Sequence, residues 1–457
     1  MYQDPRAFAN SAPFAHATET TSLSDILGAF SYALDLTEGQ PEGHSLRCCW
    51  IAMRLADALG ITGEARRDIY YAVMLKDLGC SSNAARVAEL YLTDDRAFKH
   101  DFKLVGTGLP AILRFVFSKT GRGHKMLNRA KAIGNILRNG EQIAHSLIQT
   151  RCVRGAQIAR SLRFSDDVAA AIHSLDEHWD GGGKPSRLAG EAIPLGARIA
   201  LLAQIADTFF INGGGDAALE EVQHRSGNWL DPALCKGFAA LAGDGSLWHE
   251  LADPNITTRT IALTPDGPDL VIDEDYLDDI AQVFGDVIDA KSPYTSGHSQ
   301  RVGDYVDQVA ARLGIEGLHA RRLRRAAILH DVGKLGVSSA ILEKPGKLEA
   351  DEWHVMQNHA RHTTEILGRV SALRDMAMIA GAHHERLDGT GYPLRQDART
   401  ISRETRIITV CDYYDALTAD RPYRAAMNRE QALAIMAREV GTAIDGECFE
   451  ALRAVTA

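Results

Sequence analysis

The sequence predicts an all-α chain in which two copies of one helical bundle stand in tandem, joined by a linker. Apolar residues recur at helical spacing, as at Val302, Val306, Val309, Ala310 and Leu313, and neither half shows an alternating β pattern of useful length. The N-terminal half can be laid on the C-terminal third with its glycines and apolar positions in step. Of the two copies, only the second carries a dense series of histidines and aspartates.

Residues 1–22 lack periodicity and are expected to form a flexible arm. The first copy spans 23–242. Its run EGHSLRCCWIAMRLADALGI falls on SGHSQRVGDYVDQVAARLGI, which sets His44 over His298 at an offset of 254 and Lys76 and Asp77 over His330 and Asp331. Further on, LDEHWDGGGKP falls on HHERLDGTGYP, and ARIALLAQIAD on TRIITVCDYYD, at an offset of 208. The difference, 254 minus 208, leaves the first copy with 46 extra residues between Asp77 and Arg151.

That insertion, within the region 78–150, holds Lys99, Lys103, Arg114, Lys119, Arg122, Lys125, Arg129 and Lys131 beside the apolar LPAILRFVF. A helical cap on its own domain is the first reading. A basic face for a partner, a membrane surface or an acidic ligand is the second. The apolar run Ile193 to Ile211 is interrupted by Arg198, Gln204 and Asp207, which favours a buried helix over a membrane span. Residues 243–274 begin rich in Gly, Pro, Asp and Thr and read as a linker. A helix from about Asp275 to Asp289 then enters the second copy, 275–457. There, Leu323 to Leu329, Met376 to Ala382 and Ile407 to Leu417 are helical, and Asp388 to Pro393 is a Gly-rich turn.

Chemistry concentrates in the second copy. His298, His330, Asp331, His359, His383, His384 and Asp412 offer five imidazoles and two carboxylates, donors suited to iron or manganese. Seven ligands exceed the needs of one ion, and two ions sharing Asp331 would use them all. His319, His354 and His362 fall outside these motifs. At the matching places the first copy has Lys76, Arg151, Leu175, Asp176 and Gln204, so it is expected to be metal-free and catalytically silent. Asp77 is expected to pair with Lys76 or Arg151. A sensory or dimerising module and plain scaffold are equally open for this copy. Asp415, kept as Asp207, reads as structural support rather than a ligand.

The run HDVGK, the segment HHERLDGTGYP and DYYDALTADRPYR, in this order and spacing, resemble the HD-GYP family of bacterial phosphodiesterases. The resemblance covers roughly Asp275 to the C-terminus. It implies the all-α HD fold and hydrolysis of cyclic di-GMP to pGpG or GMP by a metal-activated hydroxide. It assigns His298, His330 and Asp412 to one ion, His359, His383 and His384 to the other, and Asp331 to both. His330, Asp331 and Lys334 would be catalytic, with Lys334 on the helical face of His330 and near the phosphate. Lys334, Arg421 and Arg424 would contact phosphates, and Tyr392 would stack on guanine or brace its loop. Some members place a Glu four residues before the first histidine and hold three metals. Tyr294 stands there, so two ions are expected, Fe or Mn, and no organic cofactor. Another cyclic dinucleotide such as 3′,3′-cyclic GMP-AMP, another phosphoester, or a low-turnover binding module are the alternatives.

Bulk composition fits this setting. With 50 basic against 60 acidic residues, net charge -10, the chain is no general DNA binder, and a small anionic substrate must meet local cations. No stretch reads as a signal peptide or membrane insertion, and seven cysteines without CxxC spacing fit a reducing cytoplasm. A homodimer through the first copy or the linker helix, and signalling-protein partners, are compatible with the sequence.

Overall fold

A computed structural model describes residues 23–106, 108–265, 272–420 and 424–456. The expected N-terminal arm, 1–22, lies outside the described residues, as does Arg421. Every regular element among the described residues is helical, with three isolated β-bridges besides. The chain divides into two units.

The first unit comprises Phe30–Val271 with Ser338–Ala340. Its helices are α1 (Leu23–Glu38, of which Phe30 onward belongs here), α2 (His44–Ala58), α3 (Gly63–Met74), α4 (Ala84–Tyr91), α5 (Asp95–Lys103), α6 (Leu109–Lys119), α7 (Met126–Ser161), α8 (Asp166–His173), α9 (Leu195–His224), α10 (Pro232–Ala242), α11 (Ser246–Leu251) and α12 (Ile256–Ile261). Helices α2, α3 and α9 pack together around Ile51, Leu55, Val73, Ile199 and Leu202, all buried. By length and composition α9 would pass as a membrane span, but 61% of its apolar window is buried inside the protein. The stretch read as linker carries α11 and α12 instead, and both pack on α2. Trp50 Nε1 donates to Glu250 at 2.9 Å, and the Tyr70 hydroxyl bonds Thr264 at 2.8 Å. Composition rich in Gly, Pro and Asp marked helix caps here: Gly245 and Asp244 start α11, and Asp253 bonds the Asn255 amide before α12.

The insertion forms α4 to α6 and the start of α7. Phe98 packs against Tyr91 and Phe115 at ring distances of 4.1 and 5.1 Å, and Val87 completes a small core. These contacts give the segment a small core of its own, and Arg96 Nε donates to the Leu36 carbonyl at 2.6 Å, tying it to α1 of the same unit.

The second unit holds α13 (Glu274–Asp289), α14 (His298–Arg312), α15 (Gly317–Leu329), α16 (Ser339–Leu342, from Ile341 onward), α17 (Ala350–Gly368), α18 (Arg374–Gly381), α19 (Arg403–Thr418), α20 (Arg429–Met436) and α21 (Gly446–Val455). The repeat holds residue by residue. Helices α2 and α14 both start at a glycine with positive φ, Gly43 (83°) and Gly297 (68°), a conformation that costs a side-chain-bearing residue energy. Helices α3 and α15, α8 and α18, and α9 and α19 begin at positions related by the same two offsets. A third correspondence lies beyond them: Asp231 caps α10 and meets Arg198 at 2.7 Å, as Asp445 caps α21 and meets Arg406 at 2.9 Å.

Candidate metal centre

All seven expected side chains converge inside the second unit. Three groups of ligand atoms each lie within 4.8 Å of one another: His298, His330 and Asp412; His359, His383 and His384; and His330, Asp331 and His383. Asp331 sits between the first two. Its Oδ2 lies 3.5 Å from His298 Nε2 and 3.3 Å from His330 Nε2, and its Oδ1 lies 3.4 Å from His359 Nε2 and 3.7 Å from His383 Nε2.

The orientation of each ring has a local cause. Nδ1 of His330, His359 and His383 lies 2.6 Å from the carbonyl oxygens of Ala327, Met356 and Ala380, each three residues earlier in the chain. With Nδ1 donating outward, Nε2 is left as the inward lone pair. His298 differs, bonding Asp415 Oδ2 at 2.7 Å through Nδ1. The HD pair does not stand within a helix as expected. His330 is the C-cap of α15, Asp331 opens a 3₁₀ turn (Val332–Gly336), and Lys334 bonds Asp331 from three residues on. Gly333 permits this turn to touch α17: a Cβ there would lie 1.9 Å from the His359 carbonyl oxygen.

Buried Nε2 of His298, Nε2 of His330 and Oδ1 of Asp331 have no hydrogen-bond partner. Such orphaned ligand atoms, buried in one cluster of imidazoles and carboxylates, fit divalent cations, which would satisfy them. The field agrees. Burial opposes charge on His298, but the carboxylates of Asp331, Asp415 and Asp412 around it outweigh burial and raise its pKa to about 9, so this pocket attracts positive charge. Burial lowers His359 to about 4 and His383 to about 3, leaving neutral imidazoles able to ligate.

The substrate-contact expectations fare differently. Tyr392 lies with its ring 4.8 Å from His384 and 6.0 Å from Trp353. Arg424 donates to the Ala416 carbonyl at 2.5 Å and helps hold its own loop. Tyr294 lines a cavity of 460 Å³ with Arg301 and Asp415.

The first unit repeats the scaffold and inverts the charge. His44 Nδ1 meets Asp207 at 2.7 Å, and Arg47 Nε meets it at 2.6 Å, as Arg301 Nε meets Asp415 at 2.6 Å. Neither arginine was singled out from sequence, although both fall together at the 254 offset. Glu177 accepts the Ser186 and Leu188 amides as Glu385 accepts those of Leu394 and Gln396. At the ligand positions the buried Lys76 pairs with Asp77, and Arg151 pairs with Asp176 rather than Asp77. Lys99 and Lys103 reach from the insertion to Glu38 at 3.2 and 3.1 Å. His44 is lowered to about 4, by burial and then by Lys76. Glu38, Asp77 and Cys80 do gather within ligating distance, but these four cations already neutralise the site.

A family model described as HD domain matches residues 131–234 and 282–448, one range in each copy. The chain belongs to the HD domain family. Within it the chain is a tandem HD-GYP protein whose first copy is degenerate. Over its whole length it is similar to the 3′3′-cGAMP-specific phosphodiesterase 3 of Vibrio cholerae, at 49% identity over 96% of this chain and 95% of that one. A crystal structure of a V. cholerae cyclic GMP-AMP specific phosphodiesterase (V-cGAP3) covers 96% of this chain and 98% of its own, at TM-score 0.66 and 44% identity. The cyclic di-GMP phosphodiesterase response regulator RpfG of Xanthomonas campestris is 39% identical over 35% of this HD domain chain and 42% of its own.

Proposed function

We propose that this chain is a metal-dependent phosphodiesterase of 3′,3′-cyclic GMP-AMP, with chemistry confined to the second copy. The cluster of seven converging ligand side chains carries the reaction class. The substrate rests on the relative named for 3′3′-cGAMP, which is similar along both copies, whereas the relative named for cyclic di-GMP is similar over about a third of the chain. Cyclic di-GMP is the second reading.

His298, His330 and Asp412 would hold one ion, His359, His383 and His384 the other, with Asp331 shared. When bound, two such ions supply Lewis acidity toward phosphoryl oxygens and ionise water near neutral pH. The chain's residues fix this arrangement in advance. Asp415 sets the tautomer of His298, three backbone carbonyls set those of His330, His359 and His383, and Lys334 adds a cation beside Asp331 to meet phosphate charge. Arg421 and Arg424 are proposed to approach the substrate phosphates from their loop. The first copy, filled by its own ion pairs, is proposed to be non-catalytic.

The test is parallel turnover of both cyclic dinucleotides by the Mn(II)-loaded protein, followed by chromatography of the linear products. A kcat/KM at least about tenfold higher for 3′,3′-cyclic GMP-AMP supports the reading, that ratio being about 1.4 kcal/mol of discrimination. Equal values, or a preference for cyclic di-GMP, would overturn the substrate assignment.

A further inference from the structure

Residues 102–140 contain eight basic residues and no acidic one, in a chain of net charge -10. Two of these cations are already engaged: Lys103 with Glu38 and Lys119 with Asp101. Arg129 donates to the Phe117 carbonyl at 2.7 Å and ties the end of α6 to the first turn of α7. Arg114, Arg122, Lys125, Lys131 and Arg138 remain exposed.

The same segment exposes large apolar side chains. Met126 is 86% exposed, Leu127 67% and Leu137 51%, while Leu109 on α6 is 68% exposed. At 100° per residue, Met126, Leu127, Ala130, Gly134 and Leu137 fall within one arc of about 100° on α7, with Lys131 and Arg138 along its edge. Ile136, on the other side of the helix, is buried against the protein. So the start of α7 is amphipathic twice: one apolar stripe faces the cap, and a second, bordered by cations, faces outward.

We infer that the first three turns of α7, with the turn before them, form a docking surface for an anionic lipid bilayer. Charge selects this occupant. A second copy meeting the first through the same face would bring two predominantly cationic surfaces together, and their repulsion opposes the contact. A bilayer with anionic headgroups matches the cations, and its acyl boundary accepts Met126, Leu127 and Leu137 at a depth no water-exposed polyanion offers. The chain lies on the surface, held by side chains of one helix face.

The full-length protein, metal-loaded, is to be sedimented with vesicles of phosphatidylcholine alone and with about a third phosphatidylglycerol. Binding is expected only to the anionic vesicles and is expected to fall as salt rises. R122E/K131E and M126S/L127S are each expected to weaken it about tenfold or more, with helical content and turnover unchanged. Equal binding to neutral vesicles, or none to anionic ones, would overturn the inference. So would loss in the charge variant alone, which marks a polyanion site, or loss of self-association in M126S/L127S with vesicle binding intact.

Discussion

Nδ1 of His298 lies 2.7 Å from Oδ2 of Asp415, and the first copy repeats this contact between His44 and Asp207 at the same 2.7 Å. Because the pair persists where ligands have been replaced, it belongs to the fold as well as to the metal centre. In the second copy it has an added task, holding the tautomer that turns Nε2 of His298 inward. Asp415→Asn is therefore expected to lower metal affinity about 10- to 100-fold, with turnover falling alongside. Metal titration by mass spectrometry of the dialysed protein reads it. Asp207→Asn is expected to destabilise the first copy without changing bound metal.

Lys76 and Asp77 form a buried pair in place of a histidine and its aspartate. Lys76→Ala strands a carboxylate and is expected to cost about 3–5 kcal/mol in denaturant unfolding. Lys76→Met with Asp77→Leu removes both charges and is expected to recover most of that loss. Equal damage from the single and double variants would show that packing, not charge, is at stake.

The same pair sets a pH dependence. Burial opposes the charge on Asp77, but Lys76 and then Lys103 outweigh it and lower its pKa from 3.8 to about 2. For a carboxylate depressed on folding, the unfolded state takes up protons first as pH falls. The stabilisation is fully present above about pH 4 and is lost as pH falls toward 2, amounting to about 2 kcal/mol. Unfolding midpoints measured across this window are expected to fall less steeply in the Lys76→Met, Asp77→Leu protein.

Gly79 and Gly333 make the same close approach, each with a virtual Cβ 1.9 Å from the carbonyl oxygen of Arg151 or His359. Either glycine changed to alanine is expected to cost about 3 kcal/mol, since backbone must move. Gly333→Ala should also release metal by displacing His359, whereas Gly79→Ala should leave metal content unchanged. Calorimetry and metal analysis on both variants separate the two effects.

Much of this was legible in the sequence because it is local or repeated. Helical periods placed α13, α14, α15, α18 and α19, and the offsets exposed Lys76 and Arg151 at ligand positions. What local spacing leaves open depends on partners far along the chain. Arg151 chooses Asp176, Lys99 and Lys103 choose Glu38, and Arg301 supports Asp415, and no local spacing encodes those choices. The stretch after residue 243 was misread for another reason: the glycines and aspartates that suggest a linker also cap short helices, and packing on α2 decides between the two. The apolar period of α15 ends just before His330 and Asp331, and the 3₁₀ turn that follows, with Gly333 against α17, is not encoded by that period.

The most direct test is turnover of 3′,3′-cyclic GMP-AMP by the purified chain, stripped of metal and then reconstituted without oxygen with Fe(II) or Mn(II). Linear product should form only in the reconstituted protein, with close to two bound ions, and both should vanish in H330A/D331A. Metal-independent product, or turnover that survives in H330A/D331A, would contradict a metal centre built on these seven side chains.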